Sequence, residues 1–162
     1  MTVSRVSASK LALLARLARQ AAVHAYAPYS GFMVGAAVLT DGGENFAGAN
    51  VENASYGLSM CAERNAVHHA VSHGARGIVA IVVYAPTAEP TPPCGACRQV
   101  LAEFGRDVLI VCCGEADKVR RYRLATLLPD AFGRSNLAVM RASRKTARKG
   151  ASKPHQLRRR RS

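Results

Sequence analysis

With 162 residues the chain has room for one core-bearing domain and tails, and is too short for two domains of ordinary size. Apolar residues make up 49%, aromatics only 6%, and tryptophan is absent, an ordinary balance for a small α/β protein. The formal net charge of +13 invites a nucleic-acid partner, but ten Lys and Arg and no acidic residue lie from Arg141 onward, which leaves the body of the chain at only +3.

No acidic residue precedes Asp41, and Ser4, Arg5, Ser7, Ser9 and Lys10 loosely fit an organelle transit peptide. The helix that follows weighs against that reading. Leu11, Leu14, Leu17, Ala18, Ala21 and Ala22 recur at three- and four-residue steps, with Ser9 as the expected N-cap. Arg16, Arg19 and Gln20 interrupt the apolar run, which excludes a membrane span, and Pro28 bars continuation of the helix. Residues 32–39 read as a strand, Asp41-Gly42-Gly43 as a hairpin turn and residues 45–51 as the returning strand. A second helix is expected from Cys61 to about His73, ahead of Gly74, and then a buried strand over residues 78–84. After a loop at residues 85–93, Pro93 and Cys94 lead into a third helix through Gln99, Val100, Leu101 and Phe104 up to Gly105. Strands at residues 108–113 and 120–124 and a turn around residues 127–132 complete the body.

Strands alternating with helices after an opening hairpin give an α/β fold, a three-layer α/β/α sandwich around one mixed five-stranded sheet. Residues 1–140 form the expected catalytic domain. Residues 141–162 are too poor in apolar side chains to offset their ordering entropy and are expected to form a disordered basic tail.

Five cysteines is an odd count for a disulfide framework, and three of them are spaced for a metal, which favours a reducing compartment. Cys94-Gly95-Ala96-Cys97 taken alone is ambiguous, because redox motifs and structural zinc sites share this spacing. Context narrows it. Cys94 and Cys97 lie one turn apart at a helix start, Cys61 lies at the start of another helix, and helix N-termini stabilise thiolate, the form zinc requires. Three protein ligands leave the fourth tetrahedral position open for water, the mark of a catalytic rather than a closed structural site. Glu63, two residues beyond Cys61, can reach such a water as a general base without ligating the ion. Three thiolates overbalance zinc by one negative charge, which Arg64 is placed to draw off by donating to the sulfurs. The alternative for Arg64 is a solvent-facing helix arginine.

Nucleobase deaminases that use zinc carry His or Cys, any residue, Glu, and later Pro-Cys-any-any-Cys. Cys61-Ala62-Glu63 and Pro93-Cys94-Gly95-Ala96-Cys97 match the three-cysteine version. Extended to Cys61-Ala62-Glu63-Arg64 and Pro93-Cys94-Gly95-Ala96-Cys97-Arg98-Gln99, they are joined by Tyr26-Ala27-Pro28-Tyr29-Ser30, Phe32-Met33-Val34-Gly35-Ala36-Ala37, Asn50-Val51-Glu52-Asn53-Ala54-Ser55-Tyr56-Gly57 and Leu127-Leu128-Pro129-Asp130-Ala131-Phe132. On these segments, over about residues 11–137, the chain resembles the small homotetrameric cytidine deaminases of pyrimidine salvage. The resemblance implies a cytidine deaminase-like fold and a cytoplasmic, zinc-dependent hydrolase that converts cytidine and deoxycytidine to uridine and deoxyuridine with release of ammonia and no organic cofactor. It implies that Cys61, Cys94 and Cys97 hold zinc, that Glu63 carries protons, and that Asn50 and Glu52 bind the ribose hydroxyls. Phe32 would pack on the pyrimidine and the Ala62 N–H would contact its carbonyl. Ala54 falls in the same set of substrate contacts, and Tyr56 and Phe132 would serve a partner subunit's pocket.

Plainer readings stand beside these. Phe32 fits a core strand, Phe132 fits packing under a C-terminal turn, and residues 50–56 fit a polar loop. Cys112 and Cys113 read as small core residues. His69 and His73, four apart on a helix, have ligand spacing but no acidic partner motif, and a solvated face is the better reading. Two other functions compete. One is a related aminonucleoside or RNA cytosine deaminase, against which a pocket closing over the sugar through Asn50 and Glu52 favours free nucleoside. The other is a non-catalytic zinc or nucleic-acid-binding module acting through the basic tail, against which the lack of a well-spaced fourth ligand counts. The tail is suited to non-specific phosphate contact without base readout, and its plainer reading is a solvated extension.

Overall fold

The structure, a computed structural model, describes residues 6–116 and 118–137. Of the residues weighed as a targeting signal, Ser4 and Arg5 lie outside these and Ser7, Ser9 and Lys10 within them, while the basic segment from Arg141 onward lies wholly outside. The chain divides into two units, residues 1–131 and 132–162. In the second, residues 134–137 are helical, and the Gly133 N–H donates to Asn136 Oδ1 at 2.9 Å.

The first unit opens with helix α1, Ala8–Ala22. Its N-cap is Ser7 rather than Ser9: Ser7 is extended and its Oγ accepts from the Lys10 N–H at 3.2 Å, while Ser9 lies within the first turn. The apolar period marks where the buried face begins, and the backbone starts to coil one polar turn earlier. Strands β1, Gly35–Thr40, and β2, Asn45–Ala49, follow as an antiparallel hairpin. The predicted first strand loses residues 32–34 because a side chain takes their bonds. Asn50 Oδ1 accepts from the Val34 N–H at 2.8 Å and Asn50 Nδ2 donates to the Phe32 carbonyl at 2.8 Å.

A 3₁₀ turn, Tyr56–Leu58, leads to helix α2, Ala62–Ser72, which Cys61 caps. Strand β3, Ile78–Tyr84, helix α3, Gly95–Phe104, and strand β4, Leu109–Cys113, make a strand–helix–strand unit whose strands pair in parallel. Strand β5, Val119–Arg123, and the short helix α4, Leu124–Leu127, close the unit. All five strands join one mixed sheet in the order β2-β1-β3-β4-β5.

Alternation along the strands divides the core. Ala37, Leu39, Ala80, Val82 and Val111 face α1, meeting Leu14 and Ala18. Ala36, Val38, Ile81, Val83, Ile110 and Cys112 face the other way, toward Ala62, Ala66 and Val67 of α2 and Leu101 of α3. Helices therefore cover both faces, as the three-layer expectation required. Among the described residues no helix is long and apolar enough to cross a membrane.

Two close approaches fix the helices on the sheet. A Cβ on Gly35 would lie 1.9 Å from the Ala18 carbonyl oxygen of α1, and one on Gly48 would lie 2.5 Å from the Ala66 nitrogen of α2. Because backbone cannot yield as a flexible side chain does, Gly48→Ala should push α2 off β2 and destabilise the fold by about 1–3 kcal/mol. The expected reading is a lower urea midpoint with an unchanged denaturant slope.

Candidate active site

Helix α2 leads directly into β3, and α3 leaves from its far end, so both helix starts come to the carboxyl end of β3. The start of β1 and the end of β2 lie at the same edge, since Gly35 pairs with both Tyr84 and Ala49. A cavity of about 180 Å³ opens there. Of the predicted site residues, Phe32, Asn50, Cys61, Ala62, Glu63 and Cys94 line it, and Val34, Val83, Ala85, Thr91 and Pro92 add walls that motif spacing did not reveal. Val34, Val83 and Ala85 read like any core residue, and Thr91 and Pro92 like any loop residue, so no pattern marks them.

Cys61 and Cys94 are the N-caps of α2 and α3, and neither side chain caps its own helix. Cys97 lies one turn further into α3 and is fully buried. The Sγ atoms of Cys61 and Cys94 are 3.9 Å apart, those of Cys94 and Cys97 3.3 Å, and all three lie within 4.8 Å of one another. A tetrahedral zinc with Zn–S bonds of ~2.3 Å sets its sulfurs ~3.8 Å apart. The donor set and its spacing therefore fit zinc, and among the described residues no fourth Cys, His, Asp or Glu joins the group.

The surroundings favour thiolate. Hydrogen bonding by Cys97, then by Arg64 and Cys94, pulls the Cys61 thiol down to about 5 against the opposing effect of burial. The Cys97 thiol is pushed up by its hydrogen bond to Cys61 and by burial, so charge gathers first on Cys61. Arg64 Nη2 lies 3.7 Å from Cys61 Sγ and donates to the Ser59 carbonyl at 3.2 Å, so its guanidinium faces the sulfurs instead of open solvent.

Glu63, the second residue of α2, is only 6% exposed. Burial is the main force raising its carboxyl above the usual range, and the neighbouring Cys61 charge adds to it. A carboxyl that holds its proton more tightly than normal, placed in an apolar cleft beside a metal-ligating cluster, is suited to accept and return protons.

Asn50 reaches the cleft, but its amide already bridges Phe32 and Val34, leaving one N–H and one lone pair for a ligand. Glu52 lies outside the cavity lining. Its carboxylate accepts from the backbone N–H groups of Tyr29 and Ser30 at 2.9 and 3.2 Å and from the Ser30 hydroxyl, fastening the turn before Phe32. Ala54 and Tyr56 are exposed and also lie outside the lining; Tyr56 meets Tyr29 edge-on at 6.0 Å.

Two further residues hold the site in shape: Asn65, outside the motifs, and Arg98, which follows Cys97 in one of them but is given no role by it. Asn65 Nδ2 donates to the Ala49 carbonyl at 2.8 Å, tying α2 to the end of β2. Arg98 donates from Nε to the Pro93 carbonyl at 2.8 Å and from Nη1 to the Leu127 carbonyl at 3.2 Å, which pins the entry to α3. Their acceptors are backbone carbonyls, so nothing in the sequence marks the pairings. Cys112 and Cys113 are buried in β4, as core residues should be. His69 and His73 are exposed as expected but not merely solvated: their rings pack on each other and on Phe46.

Comparison with known proteins agrees with this geometry. Residues 8–113 match the family model described as the cytidine and deoxycytidylate deaminase zinc-binding region. A cytidine deaminase of Halalkalibacterium halodurans is 49% identical over 121 residues, covering 74% of this chain and 92% of the relative. The crystal structure of cytidine deaminase from Burkholderia pseudomallei superposes with a TM-score of 0.72 at 48% identity, over 75% of this chain and 98% of that one. The cytidine deaminase structure from Mycobacterium tuberculosis gives 0.67 at 45% identity, over 76% of this chain and 97% of that one.

The Glu52 clamp has a pH signature. Its hydrogen bonds, foremost that from the Ser30 hydroxyl, hold the carboxyl below the ordinary 4.5 in the folded chain. A group depressed on folding stabilises above its unfolded value, and that contribution fades as pH falls through the folded one. Urea midpoints from pH 7 down to about pH 3 should therefore fall less steeply for Glu52→Gln than for the unaltered protein, with the two curves converging in acid.

Proposed function

The chain belongs to the cytidine and deoxycytidylate deaminase family, and we propose that it hydrolyses cytidine and deoxycytidine to uridine and deoxyuridine, releasing ammonia, as a step of pyrimidine salvage. The observation that carries this reading is the buried Glu63 carboxyl, set two residues from one of three convergent sulfurs inside an apolar cleft wide enough for a single ring.

Cys61, Cys94 and Cys97 would hold the zinc ion. When bound, zinc supplies Lewis acidity that brings the pKa of a water toward ~7. The protein's own work is proton transfer and positioning. Glu63 accepts a proton from the attacking water and delivers it to ring N3, which leaves C4 electrophilic as the new C4–O bond forms. It then takes the proton of the new C4 hydroxyl and delivers it to the exocyclic amine; the C4–N bond breaks as the C4 carbonyl forms, and ammonia leaves. The raised affinity of Glu63 for protons keeps each one within the cleft between transfers.

Phe32 packs on the pyrimidine face. The N–H of Ala62, first residue of α2 and unpaired within the helix, donates to the ring carbonyl. The spare Asn50 N–H and the Glu52 carboxylate, which orders the adjoining turn, take the ribose hydroxyls, and Ala54 borders the sugar. Arg64 draws charge from the sulfurs and so preserves the acidity of the ion.

We further propose a homotetramer in which Tyr56 and Phe132 complete a neighbouring subunit's pocket. These aromatics are 75% and 61% exposed, more than their apolar area favours in a lone chain. A cytoplasmic location accords with five free cysteines, three of which must stay reduced to bind metal.

Glu63→Gln should retain about one zinc per chain while turnover of cytidine falls by at least ~10². Near-normal turnover in that variant would overturn the role of Glu63, and full activity with well under one zinc per chain would overturn the metal assignment. Protein truncated after Met140 should release ammonia from free cytidine as fast as the full chain. Activity confined to the full chain and to RNA would show the substrate to be a polymer bound through the basic segment.

A further inference from the structure

The exposed face of α2 far from the cysteines carries His69 and His73, one helical turn apart, with ring centroids 4.8 Å from each other and planes inclined by 68°. Both rings are oriented by backbone carbonyls. His69 Nδ1 lies 3.0 Å from the Ala47 oxygen of β2, and His73 Nδ1 lies 2.9 Å from the His69 oxygen, with the Ser72 hydroxyl at 3.3 Å. A carbonyl oxygen can only accept, so in each ring Nδ1 must carry the proton, and Nε2 is left as a lone pair. Phe46 braces both rings, with centroids 5.2 Å from His69 and 5.3 Å from His73.

From this arrangement we propose that His69 and His73 form a second metal site, binding one divalent transition cation through their Nε2 atoms. Metal-bound imidazoles are characteristically held by a hydrogen bond from the other ring nitrogen, which sets the tautomer and the ring angle before the ion arrives. Both rings here meet that condition. The separation also fits: with metal–nitrogen bonds of ~2.1 Å, two imidazoles on one ion place their ring centres about 4.6 Å apart at a right angle and about 5.3 Å apart at the tetrahedral angle. The observed 4.8 Å lies between these limits. Two neutral nitrogen donors select zinc, nickel or copper over magnesium or calcium, which require oxygen ligands. His68 is excluded from the pair because it faces the groove lined by Val100, Glu103 and Phe104 on the other side of α2.

The site is tested on the full chain with the cysteine site already loaded with zinc, titrated with Ni²⁺ by calorimetry and followed by thermal unfolding. The unaltered protein should bind one equivalent of Ni²⁺ and unfold at a higher temperature in its presence. His69→Gln and His73→Gln should each lose about 10² in affinity, because the second ligand acts at high effective concentration, and should lose the stabilisation by Ni²⁺. His68→Gln should behave as the unaltered protein. Unchanged conversion of cytidine by each variant establishes that it is folded. The proposal fails if no Ni²⁺ event is lost on changing His69 or His73, or if His68→Gln removes it equally.

Discussion

Three sulfurs gathered within 4.8 Å at the ends of two helices are the constraint on which the remaining architecture depends. As thiolates they repel one another, so the cluster is stable only where positive charge faces it. Two helix N-termini supply part of that charge through unpaired N–H groups, and the Arg64 guanidinium supplies more. Neither helix may shift without opening the cluster, and the fold meets that demand with backbone contacts. Ala62, Ala66 and Ala70 are fully buried along one side of α2 and let it lie close on the sheet, with Gly48 directly beneath. Asn65 secures α2 to β2, and Arg98 secures the approach to α3.

The cleft beside the sulfurs obeys a second demand, that residues 26–34 present Phe32 without continuing β1 into the cavity. Asn50 and Glu52 meet it by intercepting backbone bonds that would otherwise extend the strand or be left to solvent. Under the proposed function the same two residues receive the sugar. The demands are compatible because an amide and a carboxylate each have more hydrogen-bonding positions than the turn consumes. Loss of either residue would then disturb two things together, the placement of Phe32 and the affinity for ribose.

Much of this was legible in the sequence because the relevant signals are local. Strand β3 reads directly from its continuous apolar run, and the Cys94–Cys97 spacing matches one helical turn. Cys61 needed the fold to bring it within 3.9 Å of Cys94, but its position before an apolar-periodic segment already marked a helix start. What stayed hidden involves partners distant in sequence. The strand expected over residues 32–39 begins only at Gly35 because Asn50, sixteen residues after Val34, takes its N–H. Arg98 bonds a carbonyl twenty-nine residues away, and the His69 imidazole acquires a fixed tautomer only because Ala47 of β2 runs past it. Periodicity reports which face of an element is buried; it carries no record of which carbonyl a side chain will meet.

Arg64 shows where the site departs from what stability alone would favour. Its Nε is buried with no hydrogen-bond partner, and an unsatisfied buried donor costs about 1–3 kcal/mol. An apolar residue at this position would avoid that cost. Yet the rest of the guanidinium is committed, Nη2 reaching both the Ser59 carbonyl and Cys61 Sγ, and its proton is held still more firmly by the hydrogen bond to Cys61. Nε lies on the same edge of the planar fork as Nη2, but the acceptors on that edge, the Ser59 carbonyl and Cys61 Sγ, both stand opposite Nη2. The orphaned donor accompanies a fixed positive charge aimed at a cluster whose own charge would otherwise exceed that of the ion it binds. On the proposed reading, this compromise keeps a three-thiolate site acidic enough to act on water.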